Sequence, residues 1–250
     1  MNYGFQQQGG GYSPEAYGGA VAHASVEERA SFITRTYLHL VGAIFAFVAI
    51  ETVIMVTGLG ETLLNLALMG RWSWLIFLGG FMAVSYIADK WARTSTSVGM
   101  QYAGLILYTV GEAILFAPLV LMAVILDAET GGSGYGLLGK AGLITVVLFG
   151  GLTGVVFLTR KDFSFLRSIL MFGGFAAMGI IVASIAFGFS LGLFFSWAMV
   201  VFAAGSILYN TSNVMLYYRT NQHVAAALSL FASFALLLWY VLQIVMASRD

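Results

Sequence analysis

Seven apolar runs dominate this chain, each near or above the about 20 residues that a helix needs to cross a bilayer. They are Thr36–Thr57, Ser73–Ala88, Val98–Leu126, Lys140–Leu158, Arg167–Phe187, Leu191–Asn210 and Val224–Met246. Runs this long and continuous exclude a β-barrel, whose strands alternate in short segments. The fold class that follows is all-α: a polytopic membrane protein built as a seven-transmembrane-helix bundle. The second run is short. The third is long, and its length predicts tilt or a kink at Pro118, which cannot donate to the carbonyl of Ile114.

Composition narrows the function classes. Of 250 residues, 60% are hydrophobic and only 9% charged. Soluble domains carry about 25% charged residues, so a soluble enzyme, a nucleic-acid binder and a disordered protein are all excluded. Eleven basic and eleven acidic residues cancel, leaving no field for an anionic partner. There is no Cys, and the three His are scattered. No metal-ligand spacing and no cofactor motif emerges. The thirty Gly suit close helix packing in lipid. Gly150/Gly154 reads as such a contact, whereas Gly188/Gly192 straddles a connection.

Residues 1–28 are rich in Gly, Gln and Tyr and lack the basic start and apolar core of a secretory signal. They read as a disordered tail ahead of a membrane domain over 29–250. With the N-terminus inside, the inner segments hold Arg29, Arg35, Lys90, Arg93, Arg160, Lys161, Arg167 and Arg219. The outer ones hold Arg71, Lys140 and Arg249. That asymmetry favours a cytoplasmic N-terminus and an outside C-terminus. The outline is that of an integral protein of a bacterial inner membrane. Trp72, Trp74, Trp91 and Tyr217–Tyr218 fall near the run ends, as headgroup anchors do.

Charge inside the membrane is expensive and defaults to a functional reading. Glu51 and Glu112 both lie about 21–22 Å above the inner edge at 1.5 Å per residue. No Lys or Arg shares that depth. Gln101, Tyr108 and Glu112 share a helical face. Two readings stand: a proton-sensing or cation-binding pair, and two separate protonated acids. The sixth run carries Ser206, Asn210, Asn213 and Tyr217 in a stripe, and the seventh carries Ser229, Ser233 and Tyr240. Such stripes serve as packing glue or line a polar cavity. His39 and His223 read as separate interfacial residues. Gly131-Gly132-Ser133-Gly134 is similar to the motif of rhomboid proteases, but Ser133 has no His within reach to act as its base.

Ordered segments along residues 29–244 carry a family resemblance. They are Arg29-Ala-Ser-Phe-Ile-Thr-Arg-Thr-Tyr, Ala92-Arg-Thr-Ser, Thr159-Arg-Lys-Asp-Phe-Ser, Leu208-Tyr-Asn-Thr-Ser and Ala226-Ala-Leu-Ser-Leu-Phe-Ala-Ser. In these the chain resembles the Bax inhibitor-1 family and its bacterial YccA-like branch. The resemblance implies a seven-helix bundle with a central last helix and a pH-sensitive calcium leak. It also links some members to cell-death suppression or to a membrane-bound protease. The family's leak is attributed to two Asp that share a proton. Those positions are Asn210 and Ser233 here, and neither can titrate. By the rise count Asn210 falls within a few Å of the inner edge and Ser233 about 14 Å above it.

The expectation is therefore a non-enzymatic membrane protein that leaks a cation, calcium first, or protons. Glu51 and Glu112 are the acidic pathway candidates, Asn210 and Ser233 the polar ones. Gln101, Tyr108, Ser206, Asn213 and Ser229 complete the polar lining. Membrane lipid is the expected surrounding, with no nucleic acid partner. The alternative is a non-transporting regulator of membrane-protein quality control, acting on a membrane protease or another membrane protein.

Overall fold

The computed structural model describes residues 20–70, 72–94 and 97–248. The tail expected over residues 1–19 lies outside them, as do Arg71 and Arg249 of the basic-residue count. The boundary at residue 28 needs correction. Val21–His23 forms a 3₁₀ turn, and the first helix starts at Val26. The Val21 N–H donates to the Tyr218 carbonyl at 2.9 Å, and the Val21 side chain is fully buried.

Eight α-helices follow among the described residues: α1 Val26–Val56, α2 Leu59–Leu68, α3 Ser73–Ala92, α4 Val98–Glu129, α5 Gly136–Thr159, α6 Leu166–Phe187, α7 Gly192–Leu216 and α8 His223–Ala247. All but α2 are long and apolar enough to cross a membrane. They match the seven runs but extend past them. The α1 helix begins ten residues before Thr36 because Ser25 caps it. The Ser25 hydroxyl accepts from the Glu28 N–H, and the Glu28 carboxylate accepts from the Ser25 N–H, each at 3.2 Å. The α4 helix continues through Pro118.

The helices α1, α4 and α8 run in the same direction. Phe47 of α1 meets Phe231 of α8, Tyr108 of α4 meets Phe231, and Phe116 meets Trp239. Their starts, with the ends of α3, α5 and α7, form one face of the bundle, here the first face. All eight basic residues expected inside lie on it or close to it. The second face carries α2 and the α4–α5 connection.

The last helix is central, as the resemblance implies. Helix α8 packs on α1, α4, α5 and α7, and its early turns include the fully buried Val224, Ala225, Ala226 and Ala227. No charged residue interrupts it, which suits a helix enclosed by others. Outward positions such as Phe45, Ile76, Phe175, Phe194 and Val201 are large, apolar and exposed. A belt of that kind around apolar helices is the surface of an integral membrane protein.

Close helix approach does use glycine, but not where the sequence points. Gly150 and Gly154 face open space. The tight crossing is at Gly104, where an added Cβ would stand 2.5 Å from the Ala88 carbonyl oxygen and 2.7 Å from the Ala92 nitrogen. There α4 rests directly on the backbone of α3. Trp74 and Tyr218 also correct their reading as headgroup anchors. Trp74 stacks on Trp239 at 5.9 Å, and Tyr218 is buried.

Candidate functional site

Helices α7 and α8 are antiparallel, and their polar stripes meet. The Asn210 amide donates to Ser233 Oγ at 2.8 Å and to the Ser229 carbonyl at 3.3 Å. The hydroxyls of Ser206 and Ser233 lie 3.1 Å apart, and those of Tyr218 and Ser229 2.8 Å apart. Asn210 and Ser233 are thus direct partners, not residues at separate depths. The earlier depth count fails because α7 continues to Leu216. That extension lifts Asn210 more than a turn away from the first face.

Asn210, Ser206, Ser229 and Ser233 share a cavity of about 970 Å³ with Tyr108 and Glu112 of α4. Helices α3 and α6 flank it. Glu112 is 4% exposed, and its Oε2 has no hydrogen-bond partner among the described residues. Asp89 of α3 also lines the cavity, but it pairs with Arg93 at 2.8 Å. Among the described residues no Lys or Arg belongs to the lining.

Glu51 is buried as well, and neither of its carboxyl oxygens has a partner among the described residues. It stands one turn beyond Phe47, as Glu112 stands one turn beyond Tyr108. Both rings touch Phe231, so the two acids reach a common level on α8. Glu51 nevertheless lies outside the cavity lining. The structure brings Glu112, not Glu51, to the α7–α8 polar cluster.

The remaining candidates have other duties. Gln101 is buried and donates from Nε2 to the Thr94 carbonyl at 2.8 Å, which ties the α3–α4 connection to α4. Asn213 faces a polar pocket of about 490 Å³ at the first face, with Arg93, Arg167, Tyr217 and Gln222. At that end the hydroxyl of Tyr217 donates to the Asp162 carboxylate. This bond and the Ser164 N–H hold the exposed Asp162 below the usual carboxylate range.

His39 and His223, read as separate, face each other with ring centroids 5.0 Å apart. His39 Nδ1 lies 2.6 Å from the Arg35 carbonyl, and Nε2 lies 2.7 Å from the Tyr102 hydroxyl. Helix offsets alone do not show that the start of α8 lies beside α1. Ser133 lies near the second face, in a connection gripped by buried Asp127. The Asp127 carboxylate accepts from the N–H groups of Gly134 at 2.8 Å and Gly136 at 3.0 Å. His39 and His223 lie toward the opposite face. Sequence reading passed over Asp127, although an Asp followed by Gly131-Gly132-Ser133-Gly134 marks a loop able to wrap an acceptor.

The fold and this cavity define a polytopic helical membrane protein with an acid-bearing polar seam against its central helix. The chain belongs to the family described as inhibitor of apoptosis-promoting Bax1, the Bax inhibitor-1 family, which it matches over residues 29–250. It is also similar to the uncharacterized protein PA2604 of Pseudomonas aeruginosa. The two are 30% identical over 165 residues, covering 66% of this chain and 68% of that relative.

Proposed function

We propose that the protein passes a small cation, calcium first, along the cavity between α4, α7 and α8. One observation carries the reading: Glu112, with one carboxyl oxygen unpartnered among the described residues, lines a cavity that also holds the Asn210–Ser233 cluster. Calcium is held by about six to eight oxygens. Here one unpaired carboxylate, one amide and several hydroxyls offer a weaker set. Weak binding suits passage, because a conducted ion must also leave. The basic first face supports an inside N-terminus, and the bacterial relative is in keeping with a bacterial inner membrane.

The test is calcium flux into liposomes holding the purified protein, at about pH 6 and about pH 8. Glu112→Gln should cut flux about tenfold, the scale of losing one charge-assisted contact. Glu51→Gln should change it little. Flux from Glu112→Gln equal to that of wild type at both pH values removes Glu112 from the path.

A second reading is favoured by the α7–α8 cluster itself, which is neutral and internally hydrogen-bonded where the family pattern has two acids. On that reading the protein regulates another membrane protein and transports nothing. Wild-type flux no greater than that of empty liposomes selects it. Deleting residues 1–19 then probes the partner contact while sparing the docked segment from Ala20 onward.

A further inference from the structure

Rings surround the unpaired acid of the cavity. On α4, Tyr108 and Phe116 stand one turn before and one turn after Glu112, on the same face. Phe81 of α3 packs on Tyr108 with centroids 5.7 Å apart, and Trp239 of α8 packs edge-on against Phe116 at 4.9 Å. Trp74 stacks on Trp239 at 5.9 Å. All five rings belong to the cavity lining. The other lining carboxylate, Asp89, is already paired with Arg93.

A hydrated ion can use the oxygens of Glu112, Asn210 and the serines but gains little from these rings. A cation that carries its own apolar shell does gain from them. Ring faces attract such cations, by up to about 2 kcal/mol or more where water is excluded. The cavity, at about 970 Å³, lies at the upper end of the roughly 300–1,000 Å³ range of small-molecule sites. Its flanking helices pack on different partners, α3 on α4 and α6 on α7. On the α3 side Met82 lines the cavity and is half exposed. A ligand dissolved in the bilayer therefore has a lateral way in.

We propose that this cavity binds a lipophilic organic cation, with Glu112 as its counter-ion and the Tyr108–Phe116–Trp239 rings as its walls. The inference shares with the leak reading only the assignment of Glu112 as the cavity's acid, and it does not require calcium to move.

The experiment is equilibrium binding of radiolabelled tetraphenylphosphonium to the full-length protein in detergent. Tetraphenylborate, the same shape with the opposite charge, is the comparison. Saturable binding of the cation, weakened about tenfold or more in Glu112→Gln and unchanged in Glu51→Gln, is the expected result. Met82→Trp narrows the lateral way in without touching the acid, and it should slow uptake of the cation. Equal binding of tetraphenylborate, undiminished binding by Glu112→Gln, or no saturable binding by wild type overturns the proposal. Calcium flux without tetraphenylphosphonium binding discards this inference alone, and binding without flux discards the leak alone.

Discussion

Replacing Gly104 with Ala tests the α3–α4 contact that forms one side of the cavity. The added Cβ would sit 2.5 Å from the Ala88 oxygen and 2.7 Å from the Ala92 nitrogen. Both are backbone atoms, so no side-chain rotation relieves the clash. To restore ordinary contact near 3.5 Å, the helices must part locally by about 1 Å. A gap of that size forfeits about a quarter to a half of the dispersion energy at the neighbouring contacts. Overpacking of this kind costs about 1–3 kcal/mol, offset by about 1 kcal/mol for removing a glycine from a helix. The net expectation is a loss of up to about 2 kcal/mol.

Gly150→Ala is the matched control, because its Cβ would meet nothing within 4 Å. It should be neutral or stabilising by up to about 1 kcal/mol. Unfolding of both variants in mixed detergent micelles, followed by tryptophan fluorescence, provides the comparison. If Gly104→Ala proves as stable as Gly150→Ala, the helices are not in backbone contact and the packing described here is wrong.

Three further outcomes are expected. Phe231→Ala should destabilise the bundle by about 3–5 kcal/mol, since the ring is fully buried and touches Phe47 and Tyr108; the same unfolding assay reads it, and a loss below 1 kcal/mol contradicts a core role. Asp127→Asn weakens two charge-assisted bonds to the Gly134 and Gly136 N–H groups and should cost about 2 kcal/mol, with faster proteolysis of the 130–135 connection as its sign. Tyr217→Phe removes the hydroxyl that holds Asp162 below the usual carboxylate range, so the Asp162 pKa should rise, as followed by carboxyl NMR. In wild type the Asp162 contribution is complete above the usual value of about 3.9 and fades as pH falls through the lowered one; an unmoved Asp162 in the variant refutes the assignment.

Apolar length made the seven crossing helices legible, because lipid leaves the backbone no other option. Helix α2 was missed because ten residues cannot span, and its alternation of Leu with Glu61, Thr62 and Asn65 resembles a connection. The start of α1 was misplaced because Glu27, Glu28, Arg29 and Arg35 end an apolar run without ending a helix. The Ser25-to-Glu28 capping pattern was the available signal. For the site, Glu51 and Glu112 could be placed at one level by counting rise. Which face each presents depends on packing, and only Glu112 reaches the cavity. The Asn210–Ser233 contact was hidden by an error of one and a half turns at the end of α7.

The central place of α8 bears on how the protein is made. Chain order delivers this helix after every helix it packs on. Until it arrives, Phe47, Tyr108, Phe116 and Phe149 lack the α8 rings they close upon, and Glu112 faces an unfinished cavity. The Val21 N–H cannot find the Tyr218 carbonyl before the corner leading into α8 exists. A nascent chain stopped after α7 would hold every outer helix and no centre, so assembly is completed by the last insertion rather than begun by the first. Quality control in the membrane would meet this protein at that stage, as a ring of helices awaiting its core.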